Sequence, residues 1–179
     1  NALAAWYELG NDIDASATSG WNAGAGFDPI GDLSTQFTGT IDGKGYTINQ
    51  LYVDRITEAS VGLFGYANGA VFTDINLNEC SITGYHQVGG LVGYSLDTEV
   101  SWSSCSGTVN ANGRRTGGLI GWMDYGSVYY CHTSVTVVSY SNGPAGQTGY
   151  GCLIGDINAG SVDECFSTGT VTVFVGTVG

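Results

Sequence analysis

A short block containing glycine and leucine recurs four times, and this repeat limits the fold more than any other feature of the chain. Its common form is Gly-Leu-x-Gly, with cysteine in place of the first glycine in the last copy. The four copies span Val61–Tyr66, Val88–Tyr94, Thr116–Trp122 and Tyr150–Asp156. From leucine to leucine the steps are 28, 28 and 34 residues. A unit of this length cannot bury its own apolar face, so the spacing predicts a stacked array.

Each block is followed by a polar turn, a valine, a cysteine and an alternating run of Ser, Thr and Val. The valines are Val71, Val100, Val128 and Val162, and the cysteines are Cys80, Cys105, Cys131 and Cys165. Two or three short strands in each unit would pair with their equivalents in the next unit, about 4.8 Å away. The pattern predicts an all-β fold, a parallel β-solenoid with rungs of roughly 25–34 residues. Leucines would then lie over leucines, and cysteines roughly over cysteines.

We expect a single domain over residues 1–179, with lead-in rungs and a cap in 1–58 and the four repeats in 59–179. The first nine residues fit either a short capping helix or a leading strand. Strands are predicted over 37–41 and 46–53, on either side of a turn at Asp42-Gly43. An inserted loop is expected around 141–146. Residues 175–179 match the start of another block, which favours the interpretation that the chain is a piece of a longer array. The alternative is that the chain is a subunit that stacks on another copy.

The charge balance is strongly acidic and argues against two classes of partner. The net charge is −12, and the basic residues are Lys44, Arg55, Arg114 and Arg115. Nucleic acid binding needs clustered Lys and Arg, and anionic membranes would repel the chain. No apolar run reaches the roughly 18 residues of a spanning helix, and no signal peptide is visible. The chain is interpreted as a mature product or an excised piece.

The cysteines are expected to be buried thiols that act as small apolar side chains. Side chains stacked in adjacent rungs point in parallel, which suits disulfide geometry badly. Cys152 differs because it occupies a glycine position of the fourth block. Its disulfide state is left open.

At these residues the chain resembles the GLUG-motif repeats of bacterial secreted surface proteins and adhesins. The matching features are the four Gly-Leu-x-Gly blocks, the downstream cysteine and the Gly/Thr/Val runs. The lead-in is similar too, at residues 7–14 and 37–43. The resemblance implies a right-handed parallel β-helix that is secreted or at the cell surface, and it implies no chemistry.

The residue patterns of known catalytic sites are missing from the sequence. His86 and His132 lie outside any His-Glu-x-x-His pattern, so a zinc peptidase is not indicated. A glycosidase would need paired carboxylates, but Asp163 and Glu164 are neighbours and on a strand would point to opposite faces. Arg114-Arg115 could meet an acidic sugar but is interpreted as a solvated loop pair. We expect no enzyme and no cofactor; calcium at Asp97, Asp124 or Asp156 is the alternative, without a recognised calcium motif.

The candidate interaction surface is a second apolar column beside the leucines. On a flat strand the residue after each leucine would face the opposite side. The predicted surface consists of Phe64, Val92, Ile120 and Ile154, extended by Tyr66, Tyr94 and Trp122. One interpretation is that a bend or a local loop covers it. The other is a contact for a protein, a carbohydrate or another copy of the chain, because large apolar patches usually mark interaction sites.

Three functional hypotheses follow. The first is a non-catalytic extracellular module with a structural or adhesive role. The second is a self-assembling surface fibre subunit, and the third is a carbohydrate-active enzyme on the same fold.

Overall fold

Parallel β-strands carry almost all the regular structure of this computed structural model, which describes residues 2–141 and 149–175. Within these ranges there is no α-helix, and the helical turns are 3₁₀ segments at Ala2–Ala4, Ser16–Gly20 and Asn22–Gly24. The strands are β1 (Trp6–Glu8), β2 (Ile13–Asp14), β3 (Thr40–Asp42), β4 (Thr47–Asn49), β5 (Tyr52–Asp54), β6 (Phe64–Asn68), β7 (Val71–Thr73), β8 (Asn76–Gly84), β9 (Val92–Ser101), β10 (Ser104–Ala111), β11 (Thr116–Gly117), β12 (Ile120–Tyr129), β13 (His132–Ser141), β14 (Tyr150–Gly151), β15 (Ile154–Asp163), β16 (Phe166–Ser167) and β17 (Thr170–Val175).

Each repeat contributes strands to both of two large sheets. One sheet has the order β1-β3-β7-β9-β12-β15, with β6 also paired to β9. The other has the order β16-β13-β10-β8-β4-β2, with β17 beside β13 and β5 beside β8. A third, small sheet joins β11 to β14. We call the strands of one repeat a layer.

The register between layers follows the sequence repeat. Val92 is opposite Ile120, and Tyr94 is opposite Trp122. The leucines are linked through their backbones, since the Leu91 amide donates to the Leu119 carbonyl at 2.9 Å and the Leu119 amide to that of Leu153 at 2.8 Å. The predicted all-β fold with parallel pairing of equivalent strands is therefore confirmed.

Glycine at the end of each block allows two backbones to touch. A Cβ atom at Gly93 would lie 2.4 Å from the carbonyl carbon of Ser60, and one at Gly121 would lie 2.5 Å from that of Gln87. Both distances are shorter than real contacts. The chain that enters one layer thus packs directly on the strand of the next, which only glycine permits.

The cysteines do not form one column, which corrects the sequence expectation. Cys105 is opposite Leu77, whereas Cys80 is opposite Gly107. The register shifts between these two pairs, where Glu79 has a positive φ of 52°. Cys80 is out of line because it precedes Cys105 by 25 residues in a repeat of 28. The extra residue in β8 reduces the offset between them from three positions to two. The first valine is also out of line, without any register shift, because Phe72 and not Val71 lies opposite Val100.

The lead-in segment contains both of the elements that the sequence predicted as alternatives, a helical turn and a leading strand. The 3₁₀ turn Ala2–Ala4 is followed at once by β1, so both a helical turn and a leading strand are present. The predicted turn after Asp42 is seen, with the Tyr46 amide donating to the Gly43 carbonyl at 2.9 Å. The strand expected over 37–41 is shorter and begins at Thr40. The inserted loop around 141–146 and the block-like segment 175–179 lie almost wholly outside the described residues.

Candidate interaction surface

The column that follows the leucines is internal, so most of the predicted surface is not accessible. Phe64, Val92 and Ile120 are at most 1% exposed and belong to the same core as the leucines. Ile154 packs against that core and is half-buried. Each leucine lies in a bend immediately before its strand, so it does not share a flat strand with the next residue. The bend allows both side chains to face the core.

The aromatic extension of that column forms a continuous row across three layers. The ring centroids of Tyr66 and Tyr94 are 4.4 Å apart, and those of Tyr94 and Trp122 are 4.5 Å apart. Tyr66 and Tyr94 are 8% and 9% exposed, and Trp122 is half-buried. The tyrosine rings therefore contact mainly each other. They do not offer free faces on which a sugar could stack.

The same row forms part of the wall of a groove of about 880 Å³. The opposite wall comes from the lead-in segment, at residues 28–35, and from the approach to the first block, at 58–60. Leu33 on this wall is 75% exposed. Arg55 pairs with Asp28 and with Glu58 at 3.0 Å each. The Asp32 carboxylate accepts the backbone amides of residues 34 and 35. The sequence reading missed this wall, since Pro29 and Gly31 indicated only a turn.

Arg115 closes one end of the aromatic row. Its guanidinium carbon lies 3.6 Å from the centroid of the Trp122 ring, and its Nε donates to Asp156 Oδ2 at 3.0 Å. Arg115 is thus a packing residue and not part of a solvated loop pair. Its neighbour Arg114 donates its backbone amide to His86 Nδ1 at 3.1 Å.

The remaining candidate groups do not assemble into a site. Asp124 is opposite Leu96, and Asp156 is opposite Trp122, so the acids proposed for calcium occupy different columns. The Asp124 carboxylate accepts from Tyr94 and Asn158. Over residues 2–141 and 149–175, no three His, Cys, Asp or Glu side chains form a group that could hold a metal ion.

Titratable groups in the interior have pKa values moved by burial. Burial and the hydrogen bond with Tyr66 raise the pKa of Tyr94. Burial raises the pKa of the Cys131 thiol to about 12. Burial and then the charges of Arg114 and Arg115 lower the pKa of His86. The shifts keep Tyr94 and Cys131 protonated and His86 unprotonated, so all three groups are neutral.

The two outermost layers of the described structure expose apolar side chains and unpaired strand edges. At one end β1 pairs only with β3 and β2 only with β4, and Trp6 is 63% exposed. An apolar pocket of about 280 Å³ opens there, lined by Leu9, Trp21 and Phe27 among others. At the other end β17 pairs only with β13, and Phe166 and Phe174 are 61% and 49% exposed.

Comparison with known proteins places the chain beside much longer relatives. It is 41% identical over 174 residues to "Halomucin" of Haloquadratum walsbyi, which is 92% of this chain and 2% of that protein. It is 39% identical over 59 residues to a "Putative Gly-rich membrane protein" of Evansella cellulosilytica, covering 33% of this chain and 7% of that one. The described residues contain no helix long and apolar enough to cross a membrane. No protein-family model matches, so the GLUG resemblance stays a prediction, and no solved structure matches. The chain is thus similar to a small part of two long proteins.

Proposed function

We propose that the chain is a non-catalytic structural module of a secreted or cell-surface protein, built as one right-handed parallel β-helix over residues 1–179. The observation that carries this proposal is the register, in which each layer pairs with the layer one repeat later. Parallel strands joined by crossovers are right-handed in nearly all proteins. Stacked layers contact only their neighbours, so such a module extends in one direction and suits a spacer or scaffold.

The surface location is supported by the similarity to Halomucin, whose name denotes a mucin-like protein. The similarity covers almost the whole chain but only 2% of Halomucin, so it bears on a repeated module and not on the role of that whole protein. The acidic surface agrees with this location, since a net charge of −12 keeps a chain soluble and disfavours non-specific binding to anionic partners.

A structural role also agrees with how the polar groups are used. Arg55, Arg115 and Asp124 are engaged in ion pairs or hydrogen bonds that tie segments together. The aromatic rings on the wall of the groove are packed against each other. Adhesion through this groove is therefore less well supported than a spacer role.

Two measurements test the proposal. Surface labelling of intact cells that express the full-length gene with an epitope tag in this region should modify the tag; a tag that reacts only after lysis contradicts the location. Small-angle X-ray scattering on the purified chain and on a variant lacking residues 88–115, one repeat, should show a rod shortened by about 4.8 Å. An unchanged maximum dimension in a folded variant contradicts the stacked architecture.

Self-assembly into a fibre is the second candidate, favoured by the edges of β1 and β17, which are unpaired among residues 2–141 and 149–175. Unpaired edges are templates for pairing with another chain. Analytical ultracentrifugation over a range of concentrations would show growing species if copies stack end to end. A lysine at Val171, which is 40% exposed on the edge strand, should abolish that growth. A monomer at every concentration excludes the fibre.

A further inference from the structure

Two buried thiols from neighbouring layers meet in the core. The Sγ atoms of Cys80 and Cys105 are 3.4 Å apart, and both residues are 2% exposed. They lie on adjacent strands, β8 and β10. The two thiols form a hydrogen bond with each other. Two sulfurs in van der Waals contact need to move by only about 1.4 Å to reach the disulfide bond length of about 2.05 Å.

The register shift in β8 brings Cys80 one position closer to Cys105, because an unbroken register would place Cys80 opposite Thr108. Cysteines directly opposite each other in a parallel ladder point in the same direction, which suits a disulfide badly. Cys105 is opposite Leu77 and Cys80 is opposite Gly107, so the two side chains approach from offset positions. Room for the Cys105 sulfur comes from Gly90, where a Cβ atom would lie 2.4 Å from it.

The other stacked cysteines provide an internal comparison. Cys131 and Cys165 directly precede the opposed residues His132 and Phe166, so they lie in register. Their sulfurs are engaged with backbone carbonyls, Cys131 with that of Tyr129 at 3.3 Å and Cys165 with that of Asp163 at 3.1 Å. The side chains of Cys131 and Cys165 therefore point in parallel, whereas those of Cys80 and Cys105 do not.

We propose that Cys80 and Cys105 are a site for a disulfide cross-link between successive layers, formed during folding by exchange with a small-molecule disulfide. One thiolate attacks a sulfur of the reagent and releases the first thiolate of the reagent. The other cysteine then attacks the mixed disulfide and releases the second. The two cysteine protons end on the two released thiols, and the reagent is the oxidant that is reduced.

The bond forms before the layers close, because both sulfurs are out of reach in the folded chain. The hydrogen bond with Cys80 and burial also raise the pKa of the Cys105 thiol well above its ordinary value, which suppresses the thiolate that exchange requires. Occurrence of the bond in the cell rests on the proposed secreted or surface location, where disulfides persist. The capacity to form it does not depend on that location.

The test is oxidative refolding of the purified chain from denaturant, with hydroxyethyl disulfide and its thiol as the redox pair. Free thiols are alkylated, and the digest is mapped by mass spectrometry without reduction. We expect the Cys80–Cys105 peptide pair to exceed the Cys131–Cys165 pair. The folded, reduced protein given the same reagent should react far more slowly. Thermal unfolding of the cross-linked form should shift upward by roughly 4–12 °C relative to the reduced form.

Matched variants separate the cross-link from general effects of cysteine removal. Cys131→Ala with Cys165→Ala should keep the upward shift, and Cys105→Ala should lose it. If Cys105→Ala does not fold, the peptide map of the unaltered chain still shows whether Cys80 and Cys105 are linked. Folded, oxidised protein in which Cys80 and Cys105 remain open to alkylation after unfolding overturns the proposal. A positive map combined with a failed surface-labelling experiment overturns only the location.

Discussion

The guanidinium carbon of Arg115 lies 3.6 Å from the centre of the Trp122 ring, while its Nε bonds to Asp156 in the next layer. One side chain thus covers an aromatic ring and joins two layers. In an acidic chain with four fixed positive charges, this use of an arginine is structural. It also leaves little of Trp122 for a ligand.

Arg115→Ala should lower the free energy of unfolding by about 1–2 kcal/mol, because a cation–π contact and a partly buried ion pair are lost together. Urea unfolding followed by tryptophan fluorescence measures the effect. Lys44→Ala is the control, since the Lys44 pairs with Glu8 and Asp42 are more exposed and should contribute much less to stability. Equal losses in both variants would contradict the role given to Arg115.

Ser95→Ala should stabilise the fold by about 1 kcal/mol. Ser95 is fully buried, and its hydroxyl finds no partner in the described structure. An unpaired buried hydroxyl carries a desolvation cost that alanine removes. The same column has Ala67 in one neighbouring layer and Met123 in the other, so an apolar side chain fits.

The matched control for that change is Ser101→Ala. The Ser101 hydroxyl is also buried but donates to Thr73 Oγ1 at 3.2 Å. Its removal should destabilise the chain by about 1 kcal/mol. Opposite signs for the two serine variants in denaturant titrations are the expected result, and a loss of stability in both would be evidence against an unpaired Ser95.

Tyr125→Asn should raise the free energy of unfolding by up to about 1 kcal/mol. Tyr125 has a φ of 61° and is 57% exposed, so an aromatic residue occupies a left-handed position with little packing to offset the strain. One repeat earlier, Asp97 has a φ of 49° at the same place, and Asp and Asn tolerate this conformation best. Tyr125→Val should destabilise, because a β-branched residue suffers most there. A Val variant as stable as the Asn variant would show that strain is not the cause.

Stability should fall as the pH drops below about 6.5, in part through His86. Its neutral ring accepts the Arg114 amide, and burial followed by the Arg114 and Arg115 charges lowers its pKa from 6.5. Below pH 6.5 the unfolded chain then binds more protons than the folded chain, so the free energy of unfolding decreases until the folded pKa is passed. Above pH 6.5 this contribution is constant.

Unfolding midpoints at several pH values between about 5 and 7.5 check this dependence. His86→Asn should flatten the slope of stability against pH in that window. The control is His132→Asn, which removes an exposed ring stacked on Phe166 and leaves His86 in place. A slope unchanged by His86→Asn would assign the pH dependence to other groups.

Much of the stacking was predictable, because a fixed repeat length translates directly into strand register. Leucines spaced by 28 residues can meet in a column only if each layer takes one repeat, and the Leu91–Leu119 hydrogen bond shows that they do. The candidate surface was not predictable in this way, since burial of Phe64 depends on a bend just before its strand.

The repeat alone specified an all-β chain of parallel layers, since like residues at regular spacing can be buried only by stacking on one another. Folding in three dimensions settled which side chains are inside. A bend at each leucine placed two adjacent residues in the core, an extra residue near Glu79 brought Cys80 one position closer to Cys105, and the lead-in segment formed a groove against the aromatic row. These outcomes depend on local backbone direction and on contacts between distant segments, which a periodic pattern does not encode.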